Sequence, residues 1–165
     1  MNLEKFLVIT GVPGVHKLIS TRSNGLVVDD RKEGRVRFIP VRQQQVTPLA
    51  TVSIFTETDE GSVPLADVFQ KMLDLHETRP PVDADAGSDD LRAYFTEVLP
   101  DHDRDKVRIA DIKKCIKWYN FMLEKGIFDE VKREAEADSP EAVIPEAESA
   151  NPESPNAEPE SESHV

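Results

Sequence analysis

Val15-His16-Lys17-Leu18-Ile19-Ser20, then Arg22-Ser23-Asn24-Gly25, then Leu26-Val27-Val28: these three stretches decide the fold of the N-terminal part. Two β-branched, apolar runs flank Asn-Gly, a dipeptide that tolerates positive φ at both positions and is the strongest short hairpin signal. Working outward, Phe6-Leu7-Val8-Ile9 is a compact apolar run, and Gly11-Val12-Pro13-Gly14 reads as the turn after it. Asp29 to Gly34 reads as a further turn. Arg35-Val36-Arg37-Phe38 alternates polar and apolar as a half-buried strand does, and Pro40 confines it to a sheet edge or a strand end. Thr51-Val52-Ser53-Ile54-Phe55-Thr56 is one more β-branched run. Five short strands at such spacing predict a small antiparallel β-barrel or roll of SH3-like size.

The period then changes. After Pro64, the residues Leu65, Val68, Phe69, Met72 and Leu73 recur at helical spacing, and the pattern fades near His76. Arg79-Pro80-Pro81 opens an acidic linker that ends where Ser88 or Asp89 can cap a second helix. Leu91, Tyr94, Phe95, Val98 and Leu99 form its apolar face, and Pro100 stops it. Ile109, Ile112, Ile116, Tyr119 and Leu123 mark a longer helix, closed by Lys125-Gly126. Ile127, Phe128 and Val131 tuck back onto this pair. The expected fold class is α+β: a β-rich unit with a trailing helix over 1–78, an acidic linker over 79–88, a helical unit over 89–132 and a disordered acidic tail over 133–165. In the tail, Val143 and Ile144 are the only large apolar residues before Val165, too few to offset the entropy of ordering. Each folded unit alone would have a marginal core, so they should lean on each other or on a second copy.

The motifs resemble a known family. Gly11-Val12-Pro13-Gly14-Val15-His16-Lys17-Leu18 is similar to the G-x-PG-x-x-K-L start of a family of short uncharacterised bacterial proteins that carry a domain of unknown function. Leu91-Arg92-Ala93-Tyr94-Phe95-Thr96-Glu97-Val98-Leu99-Pro100, Asp111-Ile112-Lys113-Lys114 and Trp118-Tyr119-Asn120 continue the likeness. The resemblance implies a cytoplasmic bacterial setting, leaves the tail outside the shared region, and brings no activity or functional residues.

The net charge of −12 hides a sorting by position. Residues 1–56 hold 8 Lys/Arg against 4 Asp/Glu, whereas residues 129–165 hold 2 against 12. The basic head permits a polyanion partner that the whole-chain charge argues against. Seven of its cations, Lys17, Arg22, Arg31, Lys32, Arg35, Arg37 and Arg42, are the candidate contacts for nucleic acid or an acidic protein, this chain's own linker or tail included. Phe6, Phe38 and Phe55 read as core, which leaves the head without a stacking platform for single-stranded nucleic acid. Trp118, Tyr119 and Phe121 crowd one helix at about 100° per residue, so they cannot all face one core. They are the candidate helical interface, between units or between copies.

Catalytic and metal chemistry has no foothold in the sequence. His16, His76, His102 and His164 lack ligand spacing and read as surface histidines. Asp101-His102-Asp103-Arg104-Asp105 starts like a calcium loop, but Lys106 and Ile112 stand where that loop needs Gly and Glu. Cys115 is a lone cysteine on an apolar helix face, a small core residue. No metal, no cofactor and no enzymatic activity are expected. The expectation is a non-enzymatic binding or adaptor module in the cytoplasm with a protein partner. Nucleic-acid binding by the head and a structural homo-oligomer are the alternatives, and membrane association is not expected.

Overall fold

The computed structural model describes residues 1–137. Seven strands and four helices follow in chain order: β1 (Phe6–Ile9), β2 (Val12–Arg22), β3 (Gly25–Asp30), β4 (Arg35–Pro40), β5 (Val46–Pro48), β6 (Ser53–Phe55), β7 (Ser62–Pro64), α1 (Leu65–Leu75), α2 (Ser88–Val98), α3 (Ile109–Glu124) and α4 (Ile127–Ala137). The first five strands form one antiparallel sheet in the order β4-β3-β2-β1-β5. The α+β class is as expected, but the sheet is not a closed barrel. Its outer strands β4 and β5 pair only inward; Pro40 ends β4, and β5 is three residues long.

The hairpin between β2 and β3 forms, though not as its Asn-Gly dipeptide predicts. Arg22 pairs with Gly25, so the two-residue loop is Ser23-Asn24, and neither Asn24 nor Gly25 has positive φ. Gly25 opens β3 where the Phe38 ring and the Ile39 carbonyl would press on any Cβ. The Gly11-to-Gly14 turn is also shorter than expected. Only Thr10-Gly11 turns the chain; Val12, Pro13 and Gly14 belong to β2. Leu7 faces His16 and Ile9 faces Val12, so β2 spends two extra residues there, and Gly14 absorbs the bulge at φ +95°.

Thr51–Thr56 does not join the main sheet. Leu49–Thr51 makes a 3-10 turn, and β6 pairs with β7 in a separate ribbon. The loop after α2 closes that ribbon: Asp103 N–H donates to the Phe55 carbonyl, and Glu57 N–H to the Asp101 carbonyl, both at 2.9 Å.

Side chains alternate across β1, and this divides the interior. Phe6 joins the main core with Val15, Leu65, Phe69, Met72, Tyr94, Phe95, Ile112, Tyr119, Met122 and Ile127. Leu7 points the other way, into a smaller cluster with Ile9, Val28 and Ile39. The main core draws on residues of both 1–78 and 89–132 without a break. The linker takes part too: Ala84 is buried, Val82 and Ala86 pack on the core, and Arg79 donates to Glu97 at 3.0 Å. Gly87, in extended conformation, precedes α2, and neither Ser88 nor Asp89 caps it. Asp89 and Asp90 lie in the first turn, where negative charge meets the helix dipole favourably.

One further expectation changes. Residues 133–137, assigned to the tail, continue α4, whose Ile127, Phe128 and Val131 fasten it to the core. The expected disorder of 138–165 lies outside the described residues. Among the described residues, no helix is long and apolar enough to cross a membrane.

Candidate binding groove

The basic head does not form one patch. Lys17 on β2 pairs with Glu130 and with Glu134 (2.7 Å), and Arg31 pairs with Asp29 (3.2 Å) and Glu130 (2.7 Å). Among the described residues the acidic partners of Lys17 and Arg31 from beyond the head are thus on α4, where Glu134 belongs to the segment assigned to the tail, and not in the linker. For Glu130, burial works to raise the carboxyl's pKa, but the Lys17 and Arg31 cations outweigh it and hold it below the usual range. Burial likewise opposes the Lys17 ammonium, and its bonds to Glu130 and Glu134 win, raising its pKa.

Arg35 and Arg37 share a strand face as expected, opposite Asp30 and Val28 on β3. Arg37 donates to Asp30 at 2.9 Å and Arg35 pairs with Glu33 at 2.6 Å. Arg22, Lys32 and Arg42 are exposed and form no ion pair among the described residues. The opposite face of β4 corrects the assignment of Phe38 to the core: Phe38 is 46% and Val36 61% exposed, because no helix extends over that end of the sheet. Phe55, also assigned to the core, is 51% exposed at the edge of the β6–β7 ribbon.

Two histidines expected at the surface are buried instead. His102 lies beside the Leu99 carbonyl (Nδ1 at 2.7 Å) and Arg92 (Nε2 at 3.2 Å), bracing the loop after α2. His16 has no hydrogen-bond partner on either ring nitrogen, and its Nδ1 stands 3.8 Å from Asp30. Burial lowers its pKa, against the attraction of Asp30. The Asp30 carboxyl is pushed up by burial but held lower by Arg37 and by the N–H groups of Glu33 and Lys32. Burial pushes the Cys115 thiol up to about 12, as befits a core residue rather than a nucleophile.

The helical aromatics divide. Tyr119 is fully buried; its hydroxyl lies 3.0 Å from His76 Nδ1, and its ring packs by Phe69 and Phe128. It is core, and because Phe69 and His76 belong to 1–78 it lies at the seam between the two units rather than on an open face. Trp118 and Phe121, one turn apart, are half-buried against the core and line two adjoining hollows that together make a groove along α3. One end is a hollow of about 250 Å³ between α3 and β6, lined by Ile54, Phe55, Lys106, Asp111, Lys114 and Trp118 among others. The other is a hollow of about 620 Å³ against the β1–β2 turn, lined by Val8, Val12, Pro13, Gly14, Lys114, Lys117, Trp118 and Phe121 among others. Trp118 and Lys114 belong to both.

The groove has an apolar floor and cationic walls. Lys106, Lys114 and Lys117 are exposed, with Asp111 the acidic member of the lining, and Lys106 sits 5.2 Å over the Phe55 ring. The Phe121 ring rests on Gly14: a Cβ there would come within 2.8 Å of it. Reading the sequence missed Lys106, Lys114, Lys117 and Phe55 as a set. Lys114, Lys117, Trp118 and Phe121 recur at three and four residues, the spacing of one helical face, and that signal was available. Among the described residues, no three His, Cys, Asp or Glu side chains are grouped to hold a metal ion.

This architecture, an open antiparallel sheet joined through one core to a helical layer with a groove at the seam, has recognisable relatives. Residues 3–49 match the domain of unknown function DUF5606, and residues 52–122 match the domain of unknown function DUF6852. A solution NMR structure of a Bacteroides vulgatus protein, a Northeast Structural Genomics Consortium target, is 35% identical. The match covers 76% of this chain and 89% of that one, with a TM-score of 0.62. No curated protein matches the chain significantly. The chain belongs to this family of proteins with domains of unknown function. The two matched segments meet at the 3-10 turn, and both contribute walls to the groove.

Proposed function

We infer that the protein is a non-enzymatic binding module of the bacterial cytoplasm whose groove along α3 receives an acidic peptide segment with apolar anchors. The observation that carries this reading is the juxtaposition of Lys106, Lys114 and Lys117 with the exposed ring of Phe55 and the half-buried rings of Trp118 and Phe121 over an apolar floor. Aromatic rings supply anchor pockets, and lysines at the rim select and steer negative charge. A groove at the meeting of two segments is a favoured place for a ligand. The basic head supports a nucleic-acid reading less well, because Lys17, Arg31, Arg35 and Arg37 are each engaged by carboxylates of the same chain.

The test uses fluorescence anisotropy with three labelled probes: a peptide of two aliphatic residues flanked by glutamates, its lysine-flanked counterpart, and a single-stranded oligonucleotide. The glutamate-flanked peptide should bind the protein, and Lys114→Glu with Lys117→Glu should weaken it at least about tenfold. Preference for the lysine-flanked peptide, or binding of the oligonucleotide alone, would overturn the reading.

A further inference from the structure

Residues 138–165 contain eight Asp/Glu and no Lys or Arg, and their one interior pair of large aliphatic residues, Val143-Ile144, lies between Glu141 and Glu146. That is the chemistry to which the groove is complementary: an aliphatic anchor with carboxylates on both sides. The start of the segment is also close by. Glu134, in the last turn of α4, is 2.7 Å from Lys17, and Lys17 stands three residues along β2 from Gly14 in the groove, about 10 Å. Val143 lies six residues beyond Ala137, a reach of about 20 Å when extended.

We propose that the groove is occupied in cis by the chain's own Glu141–Glu148 segment, with Val143 and Ile144 against Trp118 and Phe121 and the flanking glutamates toward Lys114 and Lys117. This rests on the reading of the groove as an acidic-peptide site. It makes the C-terminal segment a built-in competitor, which a partner of the same chemistry must displace. A short tether supplies an effective concentration of about a millimolar, so even a weak segment would compete well. Charge complementarity favours the tail over a second copy of the apolar β4 face, which carries no acidic flank of comparable density.

The chain holds a single tryptophan, so Trp118 reports on the groove without ambiguity. Acrylamide quenching is measured on the full-length protein and on the full-length Val143→Ser/Ile144→Ser variant, which leaves the core untouched. A synthetic peptide of residues 138–150 is then added to each. The variant should be quenched roughly twice as readily, the protection of the wild type should not change on dilution, and excess peptide should restore protection to the variant. Equal quenching of both proteins, with the peptide still binding the variant, overturns docking in cis and leaves the groove reading standing. Protection of the wild type that disappears on dilution overturns it in favour of exchange between copies. Failure of the peptide to bind the variant, while a designed glutamate-flanked peptide binds, also overturns the tail as occupant; failure of both defeats the groove reading itself.

Discussion

The Phe121 ring sits on Gly14 so closely that there is no room for a methyl group between helix α3 and the bulge of β2. The contact ties the Gly11-Val12-Pro13-Gly14 stretch to the aromatic face of α3 and forms the wall of the larger hollow. Gly11 offers a control, since it too has positive φ, but a Cβ there would meet open space. Gly11→Ala should lose about 1 kcal/mol from backbone strain alone. Gly14→Ala should lose about 1–2 kcal/mol more, because the ring must shift. Urea denaturation of both variants measures the difference, and equal losses would mean that the ring does not bear on Gly14.

Glu130 receives Lys17 and Arg31 together and holds the start of α4 against the sheet. The pairs are about one-fifth exposed, so solvent screens them, and Glu130→Gln should lose only about 1 kcal/mol. Because its pKa is depressed in the fold, this contribution is present above the ordinary glutamate value of 4.5 and is lost as pH falls below it. Hydrogen exchange should quicken in 127–137 of the variant and leave β2 and β3 protected. Uniform quickening would show that α4 is not a separately latched element.

His16 sets a second, higher pH window. Its pKa is lowered from 6.5 by burial, so the unfolded chain takes up a proton before the folded one does. Stability should therefore be fully retained above about pH 6.5 and decline below it, at no more than about 1.4 kcal/mol per pH unit. Asp30 and Asp29 favour the protonated ring and Arg37 opposes it, and the net balance remains against the proton. Urea midpoints from pH 7.5 to 5.5 should fall for the wild type and flatten for His16→Leu. A wild-type curve flat over that interval would refute the assignment.

Cys115 should resist alkylation while the protein is folded. It is buried and its thiol is pushed up to about 12, so the thiolate is scarce and shielded. Labelling with iodoacetamide at pH 8 should follow global unfolding across a urea titration. Rapid labelling in native buffer would show that the floor of the smaller hollow opens.

The helices were legible because their apolar residues recur at a period that only a helix satisfies; Leu91, Tyr94, Phe95 and Val98 all reach the core. The hairpin was legible too, yet its turn moved by one residue, because the crowding of Gly25 by Phe38 is a contact between strands. Barrel closure depends on whether β4 meets β5, which no local pattern encodes. Alternation in Arg35–Phe38 identified two faces but could not say that the Phe38 face goes uncovered. Lys17 is 113 residues from Glu130, beyond any local reading, and so its charge looked available for a partner. The lysines of α3 were masked by segment totals, since residues 91–128 hold 8 basic and 6 acidic residues. Only the helical spacing collects Lys114 and Lys117 beside Trp118.

The central claim, that the groove along α3 rather than the basic strands is the binding face, is tested most directly by NMR. Amide and indole N–H shifts of the full-length protein are followed as the glutamate-flanked peptide is added. The account predicts that the Trp118 indole and the amides of Gly14, Phe55 and Lys114 move together and saturate, while those of Arg35 and Arg37 stay fixed. Shifts centred on β3 and β4 with Trp118 unmoved would contradict it.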